Sequence, residues 1–116
     1  MARYEHLPIY KRAFDFAIYI DQMVRGFSRY NKYTYGNDLR NLSREVLKLI
    51  IRANNARDKT PHLEAIRETL EVLKGIFRMC KQLKIFPNMN SFQYCFNETV
   101  ILSRQNEGWL DSAKKD

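Results

Sequence analysis

A chain of 116 residues is long enough to bury one core and too short for two. Apolar residues make up 45% of it and aromatic residues 13%, which excludes a disordered chain, and 28% charged residues suits a water-exposed surface. Twenty Lys and Arg against thirteen Asp and Glu leave a net charge of +7, which favours polyanionic partners: nucleic acid first, an anionic membrane second.

The N-terminal stretch MARYEHLPIYKRAFDF breaks every apolar run with charge, so a signal peptide is not expected. No segment reaches membrane-spanning length, and a cytoplasmic protein with no membrane partner is the expectation. Three zones rich in turn and cap formers divide the chain: Ser28 to Asn37, Asn54 to Pro61 and Pro87 to Ser91. Between them no two-residue alternation of β-branched residues is sustained, so the elements expected are four helices, over 8–28, 36–56, 61–85 and 91–111.

The first helix opens on Pro8 and turns Ile9, Ala13, Phe16, Ala17, Ile20, Val24 and Phe27 inward, with Tyr10, Phe14 and Ile18 as a second apolar stripe. The second, starting near Gly36, packs Leu39, Leu42, Val46, Leu49 and Ala53. Arg40, Arg44, Lys48 and Arg52 follow one another at four-residue intervals on another flank. At 100° per residue they sweep about 120° as a basic ridge.

The third helix has Thr60 as its expected cap and Pro61 in its first turn, then Leu63, Ile66, Leu70, Leu73, Phe77 and Cys80 at three- and four-residue spacing. It carries a second apolar seam, Val72, Ile76, Met79 and Leu83, about 120° from the first. Together with Leu47 and Ile51 of the second helix, this seam marks an expected oligomer interface; a wide core covered by Lys and Arg stems is the other reading. Arg67, Lys74, Arg78 and Lys81 share a narrow sector of the same helix. The fourth helix opens at Asn90 or Ser91, buries Phe92, Cys95 or Phe96, Thr99, Leu102, Asn106 and Trp109, and leaves the tail DSAKKD to fray.

Short connections between four helices of similar length specify an all-α, antiparallel up-down-up-down four-helix bundle as a single domain over 1–116. The charge is uneven along it: Val72 to Phe86 holds four basic residues and no acidic one, while residues 91–116 hold three basic and four acidic. Positive stripes without a groove-fitting motif suit phosphate-backbone contact, so Arg40, Arg44, Lys48, Arg52, Arg67, Lys74, Arg78 and Lys81 are the candidate binding residues. Solvated helix faces remain the alternative. Tyr30, Tyr33 and Tyr35, set among Arg29 and Lys32, either stack on exposed bases or pack a loop over the bundle end.

Chemistry finds little footing. His6 and His62 have no carboxylate or cysteine at ligand spacing, Cys80 and Cys95 fit small core positions, and the four glycines are isolated, so no metal, cofactor, small-molecule substrate or catalytic residue is expected. Gly75 interrupts the longest helical run and leaves a bend and a close helix contact both open.

The stretch LPIYKRAFDFAIYIDQMVRGFSRYNKYTYGNDLRNLSREVLKLIIRANNARD, with SFQYCFNETVILSRQNEGWL near the end, resembles the accessory variability determinant (Avd) proteins of diversity-generating retroelements over nearly the whole chain. Its most specific parts are FSRYNKYTYGNDLR, RANNARD and SRQNEGW; the LPIYKRAF-type start and the bundle layout are shared with a broader four-helix-bundle family that includes proteins encoded in ribosomal RNA intervening sequences. The resemblance implies a bundle that assembles into a basic pentameric barrel, binds RNA or DNA, and associates with the retroelement's reverse transcriptase. Its role would be to support mutagenic complementary-DNA synthesis, the chemistry being the polymerase's. A protein-protein scaffold of the broader family, without nucleic-acid binding, is the alternative.

Overall fold

The computed structural model describes residues 4–115. A 3-10 turn, Tyr4–His6, leads into α1 (Pro8–Arg25). A one-turn helix, α2 (Arg29–Asn31), passes through a π-helical turn (Lys32–Gly36) into α3 (Asn37–Asn55), and α4 (Thr60–Gln82) and α5 (Met89–Lys115) complete the chain. No strand occurs among the described residues, and no helix there is long and apolar enough to cross a membrane.

The four long helices enclose one core, because each has an apolar face that water disfavours. α3 packs against α1 and α4, and α5 packs against α4 and α1. The expected inner face of α4 is buried without exception: Leu63, Ile66, Leu70, Leu73, Phe77 and Cys80 are all fully inaccessible. In α1 the buried set is Ile9, Ala13, Phe16, Ile20, Met23 and Val24, with Phe27 just beyond the helix, while Ala17 is only partly covered. In α3, Ile50 and Ser43 join Leu39, Val46, Leu49 and Ala53 inside, and Leu42 sits at the margin.

The segment between the first two expected helices, residues 29–35, is itself helical, and the turn-forming residues in and around it explain why. The Ser28 hydroxyl caps α2 by accepting from the Asn31 N–H at 3.4 Å. A π turn shifts the hydrogen-bond ladder and leaves carbonyls short of donors. Thr34 Oγ1 donates to the Tyr30 and Asn31 carbonyls at 2.8 and 3.4 Å, and Asn37 Nδ2 donates to the Tyr33 carbonyl at 3.1 Å. Gly36 sits where a Cβ would lie 2.6 Å from Val24 Cγ1, so only glycine lets this turn approach α1 so closely.

Other boundaries move for local reasons. α1 ends at Arg25 rather than near 28, where the Gly26 and Phe27 N–H groups bond the Met23 and Val24 carbonyls at 3.1 and 2.9 Å. Thr60 lies inside α4 rather than capping it, its N–H donating to Asp58 Oδ1 at 3.3 Å. α4 stops at Gln82, three residues short of the expected 85. There Lys84 takes a φ of 59°, its N–H bonds the Lys81 carbonyl at 3.1 Å, and the Ile85 N–H bonds the Cys80 carbonyl at 2.9 Å, the Schellman pattern of helix termination. α5 starts earlier than expected because Asn88, not Asn90 or Ser91, is its cap, accepting from the Ser91 N–H at 2.8 Å. The helix also runs on to Lys115, with Ala113 against the core, so the tail through Lys115 is ordered as helix; Asp116 lies outside the described residues. Leu110 occupies the inner position expected for Trp109, which is partly covered.

Candidate nucleic-acid interface

The ridge on α3 divides when its partners are counted. Arg40 turns back onto α1, where its Nε lies 3.0 Å from Asp21 Oδ1 as an ion pair without an aligned hydrogen bond, and its NH2 group donates to the Asp21 carbonyl at 3.1 Å. Arg25 reaches the other oxygen of the same carboxylate at 3.1 Å. Arg40 is therefore a strut between α1 and α3. Arg52 is held loosely, 3.7 Å from Glu45. Arg44 bonds only the neutral Asn41 amide at 3.1 Å, and neither it nor Lys48 has a carboxylate partner among the described residues. These two exposed cations are the part of the ridge still offering net charge.

On α4 the same sorting applies. Arg67 makes a two-pronged pair with Glu107 of α5, Nε and NH2 at 2.8 and 2.7 Å, which holds the Glu107 carboxyl below its ordinary pKa and the guanidinium above its own. Lys74 lies 2.6 Å from Glu71. Arg78 and Lys81 instead lie over the Phe96 and Phe92 rings of α5, at 4.9 and 4.8 Å from the centroids. Arg67, Arg78 and Lys81 thus face α5, whereas Arg40 and Arg44 border α1, so the eight candidates do not share one surface.

The expected interface residues also divide. Val72, Met79 and Leu83 are about half exposed, while Ile76 is packed partly into the core margin. Leu47 and Ile51 are partly covered. Leu47 forms, with Phe14 and Ile18, the apolar floor of a groove of about 300 Å³ between α1 and α3, whose rim carries Arg25, Arg40 and Arg44. The Phe14 and Ile18 stripe was legible as a four-residue repeat on α1, but its use as one wall of a groove needed the position of α3.

Tyr30 of α2 and Tyr33 of the π turn stand exposed, and Tyr35 packs against the core. Burial pushes the Cys80 thiol up to about 11 and the Cys95 thiol up to about 12, helped by Asp38 near Cys80 and by Cys80 near Cys95. Both thiols therefore stay protonated and unreactive at neutral pH. Among the described residues no three His, Cys, Asp or Glu converge on a point that would hold a metal ion.

Comparison with protein-family models, curated proteins and solved structures finds no match to this chain.

Proposed function

We propose that this protein is a non-enzymatic accessory of a diversity-generating retroelement, in which a basic homo-oligomer holds RNA or DNA beside the reverse transcriptase during mutagenic complementary-DNA synthesis. The retroelement setting and five subunits come from the sequence resemblance. An antiparallel up-down-up-down bundle is the proposed subunit. Contact order along α4 and α5 supports it: Leu63 meets Asn106, whereas Lys81 meets Phe92. A cytoplasmic site of action goes with this role.

The observation that carries the nucleic-acid reading is the pair Arg44 and Lys48, adjacent on one helical flank and unmatched by carboxylates. Such a pair suits phosphate oxygens, and each repetition round an oligomer multiplies the effect through effective concentration. Replacing Arg44 and Lys48 with Glu should abolish binding of a labelled single-stranded RNA without loss of helicity. For the unaltered protein, log affinity should fall with log salt at about 0.7 per phosphate contacted. Undiminished binding by the double variant would remove this face as the site.

One observation favours the scaffold reading: Arg40, Arg67 and Lys74 are spent on carboxylates of the same chain. Absence of RNA binding at low salt, with reverse transcriptase still captured, would establish that reading instead.

A further inference from the structure

Tyr30 and Tyr33 are 71% and 64% exposed, more than any other large hydrophobic side chain among the described residues. Neither ring packs against another aromatic ring there. Their backbone, by contrast, is pinned. The Thr34 hydroxyl donates to the Tyr30 carbonyl at 2.8 Å, and Asn37 Nδ2 donates to the Tyr33 carbonyl at 3.1 Å. Gly36 sets the same π turn against Val24 of α1. Turns of this kind are rare and occur frequently at functional sites. What this one holds still is a pair of rings facing water.

The charge around the rings is positive. Arg29 is exposed, and neither it nor Lys32 has a carboxylate partner among the described residues. One turn after Tyr33 the exposed flank passes onto α3 as Asn37, Asn41, Arg44 and Lys48, all four open to solvent. At 100° per residue these four fall within a sector of about 60° and cover about 16 Å of helix axis. Asp38 and Glu45 lie about 40° or more outside that sector, and Glu45 turns to Arg52 at 3.7 Å. The flank therefore carries rings at one end, amides in the middle and free cations at the other, with no carboxylate along it. Asn37 has used only its amide nitrogen, on the Tyr33 carbonyl, and Asn41 only its oxygen, on Arg44 at 3.1 Å. Each keeps the other half of its amide for a ligand.

We infer that Tyr30 and Tyr33 are a stacking platform for unpaired bases, from which the strand runs along α3 so that Arg44 and Lys48 take its phosphates, an inference that rests on the nucleic-acid reading and narrows it to single strands. A ring face left in water gains by stacking on a base, and every base offers such a face once it is unpaired. In a duplex those faces are closed by the neighbouring pairs, so a duplex would meet the cations and leave both rings idle. The free amide groups of Asn37 and Asn41 suit the base edges and phosphate oxygens of the nucleotides between the two ends. Because the turn is already fixed by its own hydrogen bonds, little ordering is left for the binding step, which favours affinity.

The test measures the anisotropy of a labelled RNA strand without self-complementarity, and of the same strand annealed to its complement, on the full-length protein. Tyr30→Ala and Tyr33→Ala should each weaken single-strand binding by about 5-fold or more, with helicity retained and duplex binding unchanged. Tyr33→Phe should bind like the parent, whereas Tyr33→Leu, which keeps apolar bulk without a ring, should bind like Tyr33→Ala. The salt dependence separates the two ends of the site: Tyr33→Ala should leave the slope of log affinity against log salt as it was, and Lys48→Ala should reduce it by about 0.7. Single-strand binding undiminished in both tyrosine-to-alanine variants overturns the platform, as does an equal loss for strand and duplex. A lower assembly mass of either variant in light scattering would place the rings in a protein contact and also overturn it. If binding survives those variants and is lost when Arg44 and Lys48 become Glu, the platform falls and the nucleic-acid reading stands. An unaltered protein that binds neither probe at low salt overturns both.

Discussion

Replacing Gly36 with alanine would place a methyl carbon 2.6 Å from Val24 Cγ1 and 3.1 Å from the Asn31 carbonyl oxygen. Carbon atoms in good contact sit about 3.5–4.0 Å apart, so α1 and the π turn must separate by roughly 1 Å or the methyl must be absorbed as strain. Val24 is fully buried and β-branched, which restricts its χ1, so the strain stays local. Overpacking of this kind costs about 1–3 kcal/mol, against which alanine returns about 1 kcal/mol of helix propensity. The net expectation is a loss of up to about 2 kcal/mol, or up to roughly 8 °C in Tm for a domain of this size. Gly108→Ala is the control, since a Cβ there meets nothing within 4 Å, and it should gain about 0.5–1 kcal/mol. Urea unfolding followed by circular dichroism, at one fixed protomer concentration because assembly adds to apparent stability, reads both midpoints. Adding Val24→Ala to Gly36→Ala should cost less than the two changes summed, by about 0.5 kcal/mol or more. A Gly36→Ala protein that gains as much stability as Gly108→Ala would refute the close approach between the π turn and α1.

The helix terminus at Lys84 holds a lysine at a φ of 59°, so Lys84→Gly should stabilise the fold by about 0.5–1 kcal/mol in the same unfolding assay. Asn88→Ala removes the acceptor for the Ser91 N–H and should cost about 1 kcal/mol. Cys80 and Cys95 titrate at about 11 and about 12 in the folded chain, against an ordinary 9.0, so the native state holds its thiol protons more tightly. Their contribution to stability is full below pH 9 and is lost as pH rises from there toward those values; a thiol reagent at pH 8 should label neither cysteine until denaturant is added. Glu107 is held below its usual 4.5 by Arg67, so its contribution is present at neutral pH and disappears as acid carries the pH down through that lowered value. Carbon-detected NMR titration should show the Glu107 carboxyl returning upward in Arg67→Ala.

The helices were legible because burial imposes a period on the sequence, and the α4 core face is the plainest instance. The segment 29–35 was not, although its residues and those flanking it are informative. Ser, Asn, Thr and Gly break helices when their side chains compete for the backbone or contribute nothing to packing. Here Ser28 caps, Thr34 and Asn37 feed carbonyls of a π turn, and Gly36 makes room for Val24. The same side chains serve a turn or a helix depending on what lies beside them, and α1 lies beside them. Likewise the early start of α5 rests on Asn88, one of several equally good caps in a row.

Charge shows the same division more sharply. The spacing of Arg40, Arg44, Lys48 and Arg52 fixes a ridge on one flank of α3, and helical geometry alone is sufficient for that. Which of the four still offers charge depends on residues brought in from elsewhere: Asp21 on α1 claims Arg40, and in the same way Glu107 on α5 claims Arg67. Periodicity is a local property of one helix, carried by every turn. Electrostatic pairing falls off over a few ångströms, so it is settled only when distant segments pack, and that packing left Arg44 and Lys48 without carboxylate partners among the described residues.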